Sequence, residues 1–217
     1  MSAPAGAAPA TDSQREGMLL QALATQYGML QSARGGTISE SSSRSSIYLT
    51  SLTGSVVGLS FVAQASKFSD TFIIFALAIL PVVFFLGTVT YYRLLQTGVE
   101  DVIYARAMSR IGEYFSNIDP TRAGMFHASS IDQVGLAKLG LFKLRWQQFL
   151  SAAASIAIIN SIVAGVVIAL IVAYVLPVGP LVAFLTGILA ALLIGIAFLR
   201  HQWKTWMHVA QALPMST

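Results

Sequence analysis

The chain has no cysteine and little charge, with only 10% of its 217 residues being Asp, Glu, Lys or Arg. Without a thiol, the common cysteine zinc sites, redox dithiols and thiol nucleophiles are excluded. The three histidines, His127, His201 and His208, stand at no metal-ligand spacing, and no P-loop, GxSxG or GxGxxG run is present. The sequence therefore marks no catalytic, cofactor-binding or metal-binding residue and reads as a protein without enzymatic activity. Glu100, Asp101, Glu113, Asp119 and Asp132 alternate with Arg106, Arg110 and Arg122, the pattern of solvated and paired helix faces. Nothing in that pattern points to nucleic acid.

Apolar residues fill the space that charge leaves: 55% of the chain is hydrophobic and its mean hydropathy is +0.70. A core large enough to bury such runs exceeds what a chain of this length encloses, so lipid is the expected solvent. Four runs have the length of a membrane span. Phe149 to Leu176 contains no ionisable residue, and Val178 to Leu199 follows after a short connector built on Pro177, Gly179 and Pro180. Thr71 to Tyr92 carries Pro81 in its middle, which predicts a kink. Ile47 to Ser66 is the most polar run, diluted by Thr50, Ser51, Thr53, Gly54, Ser55 and Gly58.

Small residues recur every fourth position in three of these runs and so share one side of each helix. The first face is Ser42, Ser46, Thr50, Gly54 and Gly58, flanked by Ser51 and Ser55. The second is Ala153, Ala157, Ser161, Gly165, Ala169 and Ala173, and the third is Gly187, Ala191 and Gly195. Such faces permit close backbone approach and interhelical hydrogen bonds. The first reading is that all three pack inside one bundle; a homo-oligomer seam or a pore lining formed by Ser46, Thr50, Ser51, Gly54, Ser55 and Gly58 is the alternative use. Asn160 is the most isolated strongly polar residue at depth, suited to an interhelical hydrogen bond or a polar pathway.

Basic residues orient the chain. All but Lys67 lie in the amino-terminal segment, the central segment or the carboxy-terminal tail, which places both termini and the centre in the cytoplasm. Tyr91 and Tyr92 beside Arg93, Trp146 beside Arg145, and Trp203 with Trp206 beyond Arg200 stand where interfacial anchors belong.

The expected organisation is a disordered Ala- and Pro-rich tail (residues 1–14), with no signal-peptide pattern, then an amphipathic helix and lead-in (15–46). A first transmembrane hairpin (47–92), a central helical segment (93–148), a second hairpin (149–199) and an interfacial tail (200–217) complete it. Within the lead-in, Leu20, Leu23, Tyr27 and Leu30 share a face, Gly35 and Gly36 are expected to close that helix, and a second helix is expected near Ser39 with a Glu40–Arg44 pair. In the central segment, Val99, Val102, Ile103, Ile111 and Tyr114 are available for packing, Asp119 and Pro120 turn the chain, and a helix from Ser130 is expected to run into the third span. The fold class is all-α: a polytopic membrane protein of four transmembrane helices in two hairpins, with a cytoplasmic helical stalk.

Phe68, Ser69 and Asp70 resemble the FSD signature of a family of lysosomal and bacterial potassium channels. The resemblance covers three residues. Gln64 stands where that family has an arginine, and a membrane helix precedes the motif here, so the activity is not carried over. Asp70 is expected to cap its helix instead. The expected partners are the lipid bilayer and either further copies of the chain or a larger membrane complex, in a bacterial cytoplasmic membrane. The function expected is an oligomeric, channel-like pore gated by its cytoplasmic helices, the alternative being a membrane scaffold or accessory subunit.

Overall fold

The computed structural model describes residues 11–67, 69–118 and 151–212. Among them all regular structure is helical: α1 Asp12–Ser66, α2 Asp70–Ile118, α3 Ala152–Val175 and α4 Pro180–Ala212. Each is long and apolar enough to cross a membrane, which gives the chain the build of a multi-pass membrane protein. At 55 and 49 residues, α1 and α2 are more than twice the roughly 20 residues that a bilayer core requires. Their polar ends therefore extend past the apolar spans.

The helices pack in chain order. α1 lies on α2, α2 on α3 and α3 on α4, while α1 barely meets α3 and, among the described residues, does not reach α4. This is an open row rather than a closed bundle, so the three small-residue faces cannot all be buried against one another. α3 sits inside the row, and its Ala153, Ala154, Ile156, Ala157, Asn160 and Ala164 are buried. α1 stands at an edge, with only Thr37, Tyr48 and Ala63 fully buried.

Beyond its apolar span α1 is a coiled-coil strand. Leu20, Leu23, Tyr27, Leu30, Arg34, Thr37, Ser41, Arg44 and Tyr48 are shielded at alternating spacings of three and four. On α2 the same spacing runs through Leu94, Thr97, Asp101, Tyr104, Met108, Ile111 and Phe115. Side chains repeating in this way form the seam between two helices. Of the α2 residues expected to pack, Ile111 is buried, whereas Ile103 and Tyr114 face outward, because the seam follows a three-four repeat that those two positions miss.

Two ion pairs set the antiparallel register of this seam. Arg34 Nε donates to Asp101 Oδ1 at 2.7 Å, both partners standing at seam positions. Arg93 grips Glu40 with two hydrogen bonds of 2.7 and 3.1 Å, and Arg44 reaches the same carboxylate at 2.8 Å. These side chains keep between 29% and 42% of their surface in solvent, so water screens each pair and its contribution to stability is small. Their larger effect is on register, since slipping the helices would leave Arg34 and Asp101 in the seam with the wrong neighbours.

Several sequence expectations are corrected. α1 does not end at Gly35 and Gly36, nor does a new helix begin near Ser39. Two interior glycines cost a helix roughly 2 kcal/mol relative to alanine, but Arg34 and Thr37 on either side are held against α2, and that contact carries the helix through. α1 also starts earlier than Arg15, because the Gln14 side chain accepts the Thr11 N–H at 3.0 Å and stabilises the first turn. Asp70 is the first residue of α2 rather than its cap, since the Ser69 carbonyl accepts the first turn's N–H from Phe72 at 2.9 Å. There the Asp70 carboxylate still favours the helix dipole.

α3 does not continue an upstream helix, since Ser151 is extended and its hydroxyl caps the Ala154 N–H. Tyr91 is fully buried and donates to the Phe198 carbonyl at 2.7 Å, so of the two tyrosines only Tyr92 has the exposure of an interfacial anchor, which Trp203 shares. Most of the amino-terminal tail, Phe68, the turn at Asp119 and Pro120, His127, the helix expected from Ser130, and Arg145 with Trp146 lie outside the described residues.

The Arg93 guanidinium, then that of Arg44, holds the Glu40 carboxyl down at about 2, from an ordinary value of 4.5. A lowered carboxylate pKa gives stabilisation that is complete above the unfolded value and lost as pH falls through the folded one. Glu40 should thus stay ionised at pH 4 and the α1–α2 tie should weaken only between about pH 4.5 and 2. Carboxyl-carbon NMR of Glu40 checks this, and Arg93→Gln should move the titration upward.

Candidate functional site

Three places in the row bring polar or small residues together. The first joins three helices. The Asn160 amide of α3 donates from Nδ2 to Thr88 Oγ1 of α2 at 3.0 Å, and Tyr48 Oη of α1 donates to Asn160 Oδ1 at 3.4 Å. Thr88 spends its own proton on the Phe84 carbonyl at 2.9 Å, which leaves its oxygen lone pairs for Asn160. Asn160 and Tyr48 are fully buried.

Gly87 makes room for this clamp. A methyl group there would overlap the Asn160 side chain and come within 2.7 Å of the Tyr48 ring. Asn160 is thereby held by two partners and packed against a third residue, which makes its amide an interhelical hydrogen bond.

The second place is the α3–α4 contact. A Cβ on Gly165 would lie 2.5 Å from the Gly187 carbonyl oxygen, and one on Gly187 would lie 2.7 Å from that of Gly165. The two backbones touch, as small-residue faces allow. Gly195 stands against Ser161, whose Oγ would be 3.1 Å from a Cβ there. The sequence singles out Asn160, Ser161, Gly165, Gly187 and Gly195, and the structure brings all five into interhelical contacts.

The third place is the α1 face, and here the structure departs from packing within the chain. A Cβ at Gly54 or Gly58 meets no described residue within 4 Å. Ser46, Thr50 and Gly54 are exposed, and Ser51, Ser55 and Gly58 are half-buried. The reason is the open row: α1 commits the side bearing Tyr48, Leu52, Leu59 and Ala63 to its neighbours and turns the glycine side away. Ser51 and Ser55 donate to the carbonyls of Ile47 and Ser51, each at 2.8 Å, so their protons are satisfied within the helix.

Two grooves open beside α1. One, of about 640 Å³, is walled by apolar residues such as Leu52, Val56, Leu59, Phe72 and Leu170. The other, of about 540 Å³, lies where α1 and α2 leave their apolar spans, and Trp206 of α4 and the start of α3 close it. No cluster of three metal-ligating side chains occurs among the described residues.

Sequence reasoning missed Tyr48, Gly87 and Thr88 as partners of Asn160, and the Arg34–Asp101 and Glu40–Arg93 pairs. A signal for the ion pairs was present. With the chain folding back near residue 68, oppositely charged residues at similar distances from that turn meet if both helices stay straight. The same rule sets Tyr48 opposite Gly87 and Thr88, but it does not find Asn160, which lies on a third helix.

No known protein family matches the chain, and neither a curated protein nor a solved structure shows significant similarity to it.

Asn160→Leu should lower unfolding stability in detergent by about 1–3 kcal/mol, because two hydrogen bonds are lost at a site with no space to rearrange. Gly87→Ala should be at least as damaging. Gly54→Ala, facing open space, should leave stability unchanged or raise it by up to about 1 kcal/mol. Thermal or denaturant unfolding of the three variants checks the order.

Proposed function

We propose that the chain is a non-enzymatic, multi-pass protein of the cytoplasmic membrane, with both termini inside, that assembles with further copies through the outward face of α1. In this reading the assembly forms a channel-like pore, and the paired cytoplasmic parts of α1 and α2 act as a stalk that gates it.

The observation that carries the reading is the difference between two similar faces. On α3, Gly165 is consumed by contact with Gly187, whereas Gly54 and Gly58 on α1 present an equivalent small-residue surface with no described residue against it. A smooth face turned to lipid gains little dispersion energy, while another helix placed there gains close backbone contact. The Ser46, Thr50, Ser51 and Ser55 oxygens on and beside that face supply the neutral polar lining that a pore without buried charge uses. The seam from Leu20 to Arg44 couples any tilt of α1 to α2, since its residues are shared between the two helices.

A second reading is a scaffold or accessory subunit that docks into a larger membrane complex. The internal bonding of the Ser51 and Ser55 hydroxyls favours it, because hydroxyls satisfied within their own helix face a partner's apolar helix at little cost. Met18, Leu19 and Met29 add exposed apolar surface near the far end of α1.

Replacing both Gly54 and Gly58 by Leu separates these readings, since neither site has a described residue within 4 Å to disturb. Ion flux across liposomes and oligomer mass should fall together while the monomer's unfolding temperature holds. An oligomer that persists in the double variant would remove α1 as the seam. An impermeable wild-type oligomer would favour the scaffold.

A further inference from the structure

The groove beside Trp206 has a composition that the pore reading does not use. It begins among polar residues at Thr37 and Asp101 and ends on Leu49, Leu94 and Ala153, so its lining changes from polar to apolar along its length. That gradient lies where α1 and α2 pass from their apolar spans to their charged extensions. A membrane lipid has the same gradient, with a head in the interface and a chain in the hydrocarbon.

The polar end specifies the head. Thr37 Oγ1 donates to the Arg34 carbonyl at 2.8 Å, Ser45 Oγ to the Ser41 carbonyl at 2.9 Å, and Thr97 Oγ1 to the Leu94 carbonyl at 3.1 Å. With their protons committed to the backbone, these oxygens have lone pairs left and act as acceptors. Asp101 adds a carboxylate, and among the described residues no Lys or Arg lines the groove. Trp206 packs close enough to α2 that a Cβ on Gly98 would lie 3.5 Å from its ring, which fixes an indole wall beside the acceptors. Ser41, Ser42, Ser46 and Ser151 add further hydroxyls to the lining, and hydroxyl oxygens, one carboxylate and an indole together suit an ammonium group that carries N–H donors. A quaternary ammonium has no donor for these oxygens, and a single indole does not make the aromatic cage that such a group prefers. The guanidinium of Arg34, 2.7 Å from Asp101, supplies positive charge beside the carboxylate for the phosphate that accompanies a primary amine in a zwitterionic phospholipid.

We propose that this groove binds a phospholipid with a primary-amine head, phosphatidylethanolamine being the probe, with the amine against Asp101 and the hydroxyl oxygens and an acyl chain along Leu49 and Ala153. The proposal does not depend on oligomerisation or conduction.

The test uses the full chain extracted from vesicles of equal parts phosphatidylethanolamine, phosphatidylcholine and phosphatidylglycerol, with retained lipid counted by mass spectrometry. Phosphatidylethanolamine should be retained about tenfold over the other two. Ser45→Leu, which fills the groove, should abolish the preference, and the nearly isosteric Thr97→Val, which removes one acceptor, should reduce it at unchanged unfolding temperature. Equal retention of the three lipids, or a preference untouched by both variants, would overturn the proposal. Displacement of the bound lipid by equimolar soluble phosphoethanolamine would also overturn it, by showing that a free amine suffices.

Discussion

The hydrogen bonds of Asn160 are the constraint on which the arrangement of the helices depends. In lipid the apolar surfaces of helices have no hydrophobic reason to choose one another, since a neighbouring acyl chain is as good a contact as a leucine. What distinguishes one packing from another is close backbone approach and the satisfaction of buried polar groups. Asn160 does both, because its amide links Thr88 on α2 with Tyr48 on α1, and its side chain fits only because residue 87 is glycine. Remove the clamp and α1, which otherwise barely meets α3, retains α2 as its only substantial neighbour among the described helices.

The rest of the row follows in two directions from that point. Toward the α1–α2 connector, α1 and α2 diverge from α3 enough to leave an apolar groove. Toward the charged ends, the same two helices continue as a coiled coil whose seam admits one ion pair, Arg34 with Asp101. Glu40 takes two arginines at once, and they, Arg93 foremost and then Arg44, keep the carboxyl ionised at a pH where an isolated glutamate would be half protonated. Neither pair is worth much as stability, yet both fix which residue of α1 faces which residue of α2. The position of Tyr48 opposite Gly87 depends on that register.

Small-residue faces serve different ends in one chain. On α3 and α4 the glycines are spent on each other, and the resulting backbone contact leaves α4 with few other obligations: only Ala183, Gly187 and Gln202 are buried along it. On α1 the glycines of an equally regular stripe, Gly54 and Gly58, meet no described residue within 4 Å. Repetition at four-residue spacing says that a helix has a smooth side. It does not say whether that side is turned inward, because direction depends on where the neighbouring helices stand.

Much of the architecture is local and was legible in residues taken one segment at a time. Four uncharged runs fix four spanning helices, since a bilayer core satisfies no backbone group and admits few alternatives to a helix. The Glu40–Arg44 pair and the shared face of Leu20, Leu23, Tyr27 and Leu30 are properties of a single helix, and they needed only its periodicity. Where a glycine pair looked like a stop, at Gly35 and Gly36, local preference amounting to roughly 2 kcal/mol was outweighed by contacts with a helix some sixty residues away along the chain. Only the tertiary structure decided that the helices form an open row, that Tyr48 and Thr88 are the partners of Asn160, and that Gly54 and Gly58 face outward. These are relations between helices, set by which polar groups meet across an interface, and lipid leaves little trace of that choice in any one helix's sequence.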